Sequence, residues 1–145
     1  MNFSNFGNCI SVNRKRKFTL GEKKSQARIA NPNKKELYCV EVDNCLKFEG
    51  KKCDWLLIVS KYPSAIFIEL KGSDIVHAFK QLINSMRQIE SPQNQYLSRT
   101  FNDKKCYVIT CRSPRTTTQI QKEAIRFRKL GAKLLVKSSP HEIRI

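Results

Sequence analysis

Acidic residues are scarce in this chain: 145 residues carry 12 Asp and Glu against 28 Lys and Arg, a formal charge of +16. Such a surplus calls for an anionic partner and says nothing directly about fold. Long apolar runs are missing as well. The longest, Trp55 to Val59, falls far short of the roughly 20 residues a bilayer-spanning helix needs, so no membrane association is expected. At the N-terminus Phe3, Phe6, Cys9 and Ile10 stand among Asn and Ser and precede a basic run, the wrong order for a signal peptide. An intracellular, cytoplasmic protein is expected. His77 and His141 are the only histidines, and no Ser or Cys motif makes a triad with either. A P-loop and a nucleophile elbow are both absent, which leaves ATP hydrolysis without support.

The length fits one domain. At about this size roughly two-thirds of the unfolded surface is buried on folding, so neither metal nor disulfide is needed to hold the core. The six cysteines, Cys9, Cys39, Cys45, Cys53, Cys106 and Cys111, are therefore expected as free thiols. Cys106-x4-Cys111 lacks the spacing of a zinc pair and reads as core thiols. Zinc shared by Cys39, Cys45 and Cys53 is the weaker reading of those three.

The positive charge is unevenly spread. Residues 1–35 hold Arg14, Lys15, Arg16, Lys17, Lys23, Lys24, Arg28, Lys34 and Lys35 against Glu22 alone. Few aliphatic residues accompany them, so this segment is expected as a basic, flexible arm or wrapping segment that touches a polyanion. A second block, Arg112, Arg115, Lys122, Arg126, Arg128, Lys129, Lys133 and Lys137, faces only Glu123. Between the blocks the charge is nearly balanced and the pattern is that of a packed domain, residues 36–145.

Within that domain, Leu37 to Val42, Cys53 to Val59 and Ala65 to Leu70 read as three strands. Asp43-Asn44 makes a turn after the first, and Ser60-Lys61-Tyr62-Pro63-Ser64 joins the other two as a hairpin. Ser73 or Asp74 then caps a helix whose apolar face is Ile75, Val76, Phe79, Leu82, Ile83, Met86 and Ile89. His77, Gln81, Asn84, Ser85 and Gln88 fall on its polar side. Lys105 to Arg112 is a fourth strand. A second helix, capped by Thr116-Thr117-Thr118, carries Ile120, Ala124, Phe127 and Leu130 and stops at Gly131. Lys133 to Lys137 is a fifth strand, and Glu142 to Ile145 adds a short edge. The order β-β-β-α-β-α-β predicts an α/β fold, a mixed central sheet flanked by helices.

In so basic a chain an acid inside an apolar strand is informative. Glu69 lies in Ile66-Phe67-Ile68-Glu69-Leu70-Lys71, where alternation puts Glu69 and Lys71 on one face, about 7 Å apart. Counting back from the hairpin tip sets Asp54 opposite Glu69, with Cβ atoms about 4.5–5.5 Å apart. A two-residue slip keeps all three on that face, and only an odd slip separates them. Two such carboxylates repel unless a cation joins them. Mg²⁺, a hard ion that takes carboxylate, carbonyl and water oxygens, is the natural one. Beside it Lys71 can polarise a water or steady charge on a phosphate oxygen. An ordinary surface salt bridge between Lys71 and either acid is the competing reading.

Asp54, fourteen residues, then Glu69-Leu70-Lys71 resembles the PD-(D/E)XK nuclease superfamily, with Cys53-Asp54-Trp55 in place of its Pro-Asp. The resemblance spans about residues 37 to 137 in element order and rests on three diagnostic residues. It implies a restriction-endonuclease-like core, with Asp54, Glu69 and the Leu70 carbonyl as ligands to Mg²⁺ or Mn²⁺ and Lys71 acting on the nucleophilic water. It further implies an extra acid upstream, Glu41 or Glu36, and a helix side chain, Gln81, turned toward the metal; a solvent-facing Gln81 is an equal alternative. The expected activity is a metal-dependent endonuclease, on DNA rather than RNA, in defence, recombination, repair or junction resolution. Arg14, Lys15, Arg16, Lys17, Arg112, Arg115, Lys122 and Arg126 would hold the nucleic-acid backbone, and a homodimer would supply paired cuts. The alternatives are a nucleic-acid-binding module of the same fold without catalysis and a structural protein bound to RNA in a large assembly.

Overall fold

A computed structural model describes residues 2–22, 25–59, 64–71, 74–98, 100–111 and 118–145, with Glu22 described in its backbone alone. The expected hairpin tip at Ser60 to Pro63, the caps Ser73, Thr116 and Thr117, and the cations Arg112 and Arg115 lie outside the described residues.

Among the described residues, nine strands and two helices form three layers. After 3-10 turns over Ser4–Cys9 come β1 (Ile10–Asn13), β2 (Lys17–Glu22) and β3 (Ser25–Ala30). The central run is β4 (Leu37–Glu41), β5 (Trp55–Val59), β6 (Ser64–Lys71), α1 (Ile75–Glu90), β7 (Asp103–Thr110), α2 (Thr118–Lys129) and β8 (Ala132–Ser138), and β9 (His141–Arg144) ends the chain. The middle layer is a six-stranded mixed sheet in the order β1-β4-β5-β6-β7-β8. Its first half is antiparallel, and β6, β7 and β8 are parallel.

Both helices cover one face of this sheet. The two crossovers β6–α1–β7 and β7–α2–β8 step to a parallel neighbour in the same direction, and crossovers of one hand then put both helices on one side. Phe79, Leu82, Ile83, Met86 and Ile89 of α1 and Phe127 of α2 pack there on Val40, Leu56, Ile58, Phe67 and Val108. Asp74 caps α1, its Oδ1 accepting the His77 N–H at 3.1 Å. Val76, expected on the apolar face, is 39% exposed. Gly131, with φ of +77°, ends α2 in the left-handed conformation that a Cβ disfavours.

The opposite face carries a three-stranded sheet, β2-β3-β9. The first 35 residues are thus no separate arm. Phe18 and Leu20 on β2, and Ala27 and Ile29 on β3, alternate as the inward side of a hairpin and close over Leu37, Leu57, Ile68 and Ile109. Exposed Lys17, Thr19 and Arg28 beside and between these few apolar residues mask the two-residue period. β9 is an edge as expected, but of this second sheet, pairing in parallel with β3.

The free-thiol expectation also fails for one pair: Cys9 and Cys45 form a disulfide with Cα atoms 5.6 Å apart. Pairing of β1 with β4, Ile10 opposite Val40, brings the residue before β1 to the turn after β4, a proximity no spacing in the chain reveals. Cys39, Cys53 and Cys106 are buried free thiols, whereas Cys111 is exposed and so not a core thiol. Cys39 and Cys53 belong to the cores on opposite faces of the sheet. No described helix is long and apolar enough to cross a membrane.

Candidate functional site

The β5–β6 register is the one the hairpin count predicts, with Val59 opposite Ser64 and Trp55 opposite Ile68. One step further, Asp54 leaves the ladder at a bend. Its N–H donates to the Ile68 carbonyl at 3.1 Å, and its carbonyl accepts from Val42 N–H at 3.0 Å. Its side-chain Oδ2 accepts the Leu70 N–H at 2.8 Å. This bond pins the aspartate across the end of β5 against the Glu69-Leu70-Lys71 strand. Because a strand residue directs its N–H and C=O to the same edge, the Leu70 carbonyl leaves β6 on the Asp54 side.

Glu69 is 2% exposed, one of four polar or charged residues buried among the described residues. Its Oε2 stands 3.5 Å from Lys71 Nζ, while Oε1 has no hydrogen-bond partner among the described residues. The Lys71 side chain is a quarter exposed, more open than Glu69. Burial, followed by the Asp54 charge, drives Glu69 up to about 8, against the opposing pull of Lys71. Asp54 is also raised by burial, partly countered by the Leu70 N–H and by its contact with Glu69. Two ionised carboxylates have no donor between them, so that contact needs a proton held on one of them.

Gln81 does lie on the α1 side of this region, but its amide has a structural task. Nε2 donates to the Lys52 carbonyl at 3.1 Å, and Oε1 is buried without a partner among the described residues. Asn84 Nδ2 donates to the Lys51 carbonyl at 2.7 Å, and Ser85 Oγ accepts the Cys53 N–H at 2.8 Å. The Gln81, Asn84 and Ser85 part of the polar side of α1 is therefore covered by the chain that leads into Asp54. Carbonyls of an irregular segment need donors, and residues at i, i+3 and i+4 of a helix share a face.

Neither upstream glutamate reaches the pair. Glu41 continues the alternation of Leu37 and Cys39, which pack under the small sheet, and its partner Trp55 packs there too. Asp54 and Glu69 take the helix side. Glu36 precedes Leu37, the partner of Val59 at the far end of β5, roughly 17 Å along the strand from Asp54. There it pairs with Arg14 and accepts from the Tyr38 hydroxyl. These two contacts, Tyr38 before Arg14, lower the Glu36 carboxyl. The acid that Asp54 does feel is Asp43, whose charge helps raise it. It was legible only as half of a turn signal.

The expected backbone-binding cations scatter. Asn13 pairs with Leu37, so Arg14 to Lys17 follow at the end of the sheet away from Asp54. Lys122 is exposed on α2, and Arg126 is half exposed beside Glu123 at 3.7 Å.

Asp54 and Glu69 offer carboxylate oxygens, and the orphaned Oε1 leaves one lone-pair set unspent, a fit for a hard divalent cation that takes its other ligands from carbonyl, water or substrate. No group of three or more His, Cys, Asp or Glu among the described residues forms a complete protein cage. No family model matches the chain, and no curated protein or solved structure matches it.

Proposed function

We propose that the protein is a metal-dependent phosphodiesterase, a DNA endonuclease of the PD-(D/E)XK type that uses Mg²⁺ or Mn²⁺. One observation carries this reading: a buried Glu69 repelled by the half-buried Asp54 beside it, with the partly exposed Lys71 Nζ 3.5 Å from Glu69. A salt bridge that served only stability would gain little by burying Glu69 against a second acid for one base. The order β4-β5-β6-α1-β7-α2-β8, with Asp54 at a strand end and α1 after Lys71, supports the finer assignment to a restriction-endonuclease-like core.

In this reading Asp54 and Glu69 hold the cation together with the Leu70 carbonyl. When bound, it supplies Lewis-acid stabilisation of the charge that develops on the scissile phosphate. The protein's own groups do the rest. The Leu70 N–H fixes one Asp54 oxygen, leaving the other to face Glu69. Glu69 gives up its proton to accept the cation, so cation binding strengthens as pH rises. Lys71 holds its ammonium where an attacking water or a phosphate oxygen gains charge. Burial of Glu69 lowers the local dielectric and strengthens each of these interactions.

The place of action follows from the substrate, the interior of the cell. The Cys9–Cys45 disulfide is the observation that weighs against a reducing compartment, and thiol counting on protein taken directly from cytosol decides the point. Paired cuts would need two copies, a state that sedimentation reads.

The decisive experiment incubates the purified chain with supercoiled, linear, branched and single-stranded DNA and with RNA, in Mg²⁺ or in EDTA. Cleavage in Mg²⁺ alone is expected, with Lys71→Ala lowering the rate by roughly 10²-fold or more and Asp54→Asn abolishing it. Binding without cutting on every substrate would replace this reading with that of a non-catalytic nucleic-acid-binding module.

A further inference from the structure

The segment between β4 and β5 is a built loop. Leu46 and Phe48 are 5% and 7% exposed and anchor it in the core beneath the helices, while Lys47 and Lys51 point outward between and beyond them. Its return limb is clamped to α1 through Gln81 and Ser85, and through Asn84, whose Nδ2 reaches both the Glu49 carbonyl at 3.1 Å and the Lys51 carbonyl. The fit is close. Gly50 adopts φ of +90°, and a Cβ there would stand 2.7 Å from Asn84 Nδ2, a distance the clamp cannot absorb without moving.

Within Lys47–Lys52 the charges are mostly of one sign, Lys47, Lys51 and Lys52 against Glu49, while Asp43 and Asp54 flank the stretch. Lys52 Nζ lies 5.5 Å from the centre of the Phe48 ring, which holds it by cation–π attraction. Lys51 Nζ lies 3.2 Å from His77 Nδ1 in the first turn of α1. Lys52 is two residues from Asp54, within about 8 Å along the backbone. The basic run at Arg14 to Lys17, by contrast, sits beyond Asn13 at the other end of the sheet.

We propose that the Lys47–Lys52 loop is the phosphate grip beside the carboxylate pair, contacting the backbone of a nucleic acid through Lys47, Lys51 and Lys52, and that the Gln81–Asn84–Ser85 face of α1 holds this grip in place before the ligand arrives. The inference rests on the proposed function for the identity of the polyanion. Holding the lysines beforehand removes part of the ordering cost of binding. Their contacts are to phosphate and carry no sequence information.

The test measures fluorescence anisotropy of a labelled DNA duplex with the full chain in EDTA over a series of KCl concentrations. Each duplex phosphate contact contributes a slope of about 0.9 in log K against log salt. Combined Lys47→Ala, Lys51→Ala and Lys52→Ala substitution is therefore expected to reduce the slope by about 2.7. A charge-matched control, Lys34→Ala, Lys35→Ala and Lys105→Ala at the opposite end of the sheet, is expected to leave it nearly unchanged. An unchanged slope in the loop variant, or equal losses in both, overturns the proposal. Asn84→Ala keeps every charge and is expected to bind several-fold more weakly at the parent slope. Parent affinity in Asn84→Ala, and in Gly50→Ala as a second loop variant, overturns the claim of a pre-held grip. Since binding is read without metal, failure to cleave rejects the nuclease reading and leaves the grip standing, while cleavage with an unaltered slope does the reverse.

Discussion

Glu69 concentrates the physics of this molecule in one side chain. Its carboxyl titrates at about 8 in the fold against an ordinary value of 4.5, because burial and the Asp54 charge both disfavour ionisation. The folded state therefore holds more protons than the unfolded chain between those two values. Stability is fully present below the lower one and is lost as pH rises through the upper one. The raised Asp54 acts in the same sense. Thermal melts without metal are expected to show falling melting temperature from pH ~5 to pH ~8.5, and Glu69→Gln to flatten much of that fall. A parent protein whose stability climbs over this range would show that Glu69 is ionised throughout.

Among the elements, α2 rests on the core through one fully buried side chain, Phe127, in edge-to-face contact with Phe79 of α1 at 6.2 Å. Most other α2 positions are exposed or half-buried, so this anchor decides whether the helix stays docked. Phe127→Ala is expected to cost about 3–5 kcal/mol in urea denaturation, with the loss of helical signal showing whether α2 leaves first. The edge strand β1 has a different support. It has four residues, pairs on one side with β4, and is tied by Cys9–Cys45 across a separation of 36 residues. Reduction, or Cys9→Ser, is expected to lower stability by roughly 3–4 kcal/mol through the freer unfolded chain. Hydrogen exchange is expected to quicken in Ile10 to Asn13 before it does in β6.

At the scale of the whole molecule, the three layers divide the work. The small sheet and the helices cover the two faces of the central sheet, and at one end Glu69 is buried between the half-buried Asp54 and the partly exposed Lys71. Such a site is destabilising while two acids share a single lysine as counter-charge. Millimolar Mg²⁺ is therefore expected to raise the melting temperature, more at pH ~8.5 than at pH ~6, because the cation must displace the Glu69 proton. A rise of equal size in an Asp54→Asn, Glu69→Gln double variant would place the effect elsewhere on the molecule.

Local pattern determined a good part of this. The strand at Ile66 to Leu70, the helix after Asp74 and the alternation that puts Asp54, Glu69 and Lys71 on one face are short-range properties, and a hairpin with few residues at its tip fixes its register by counting. Three features were decided only by tertiary structure. Phe18, Leu20, Ala27 and Ile29 gain a partner surface only once the central sheet exists, so a charged segment reads as an arm until it packs. Cys9 and Cys45 meet through strand pairing between distant segments. Glu41 and Glu36 drop away, and the chain from Glu49 to Cys53 is held against α1, because a side chain's face depends on strand parity and a loop's position depends on the helix that clamps it. Residue type supplies the chemistry, but only long-range packing chooses which charges share a place.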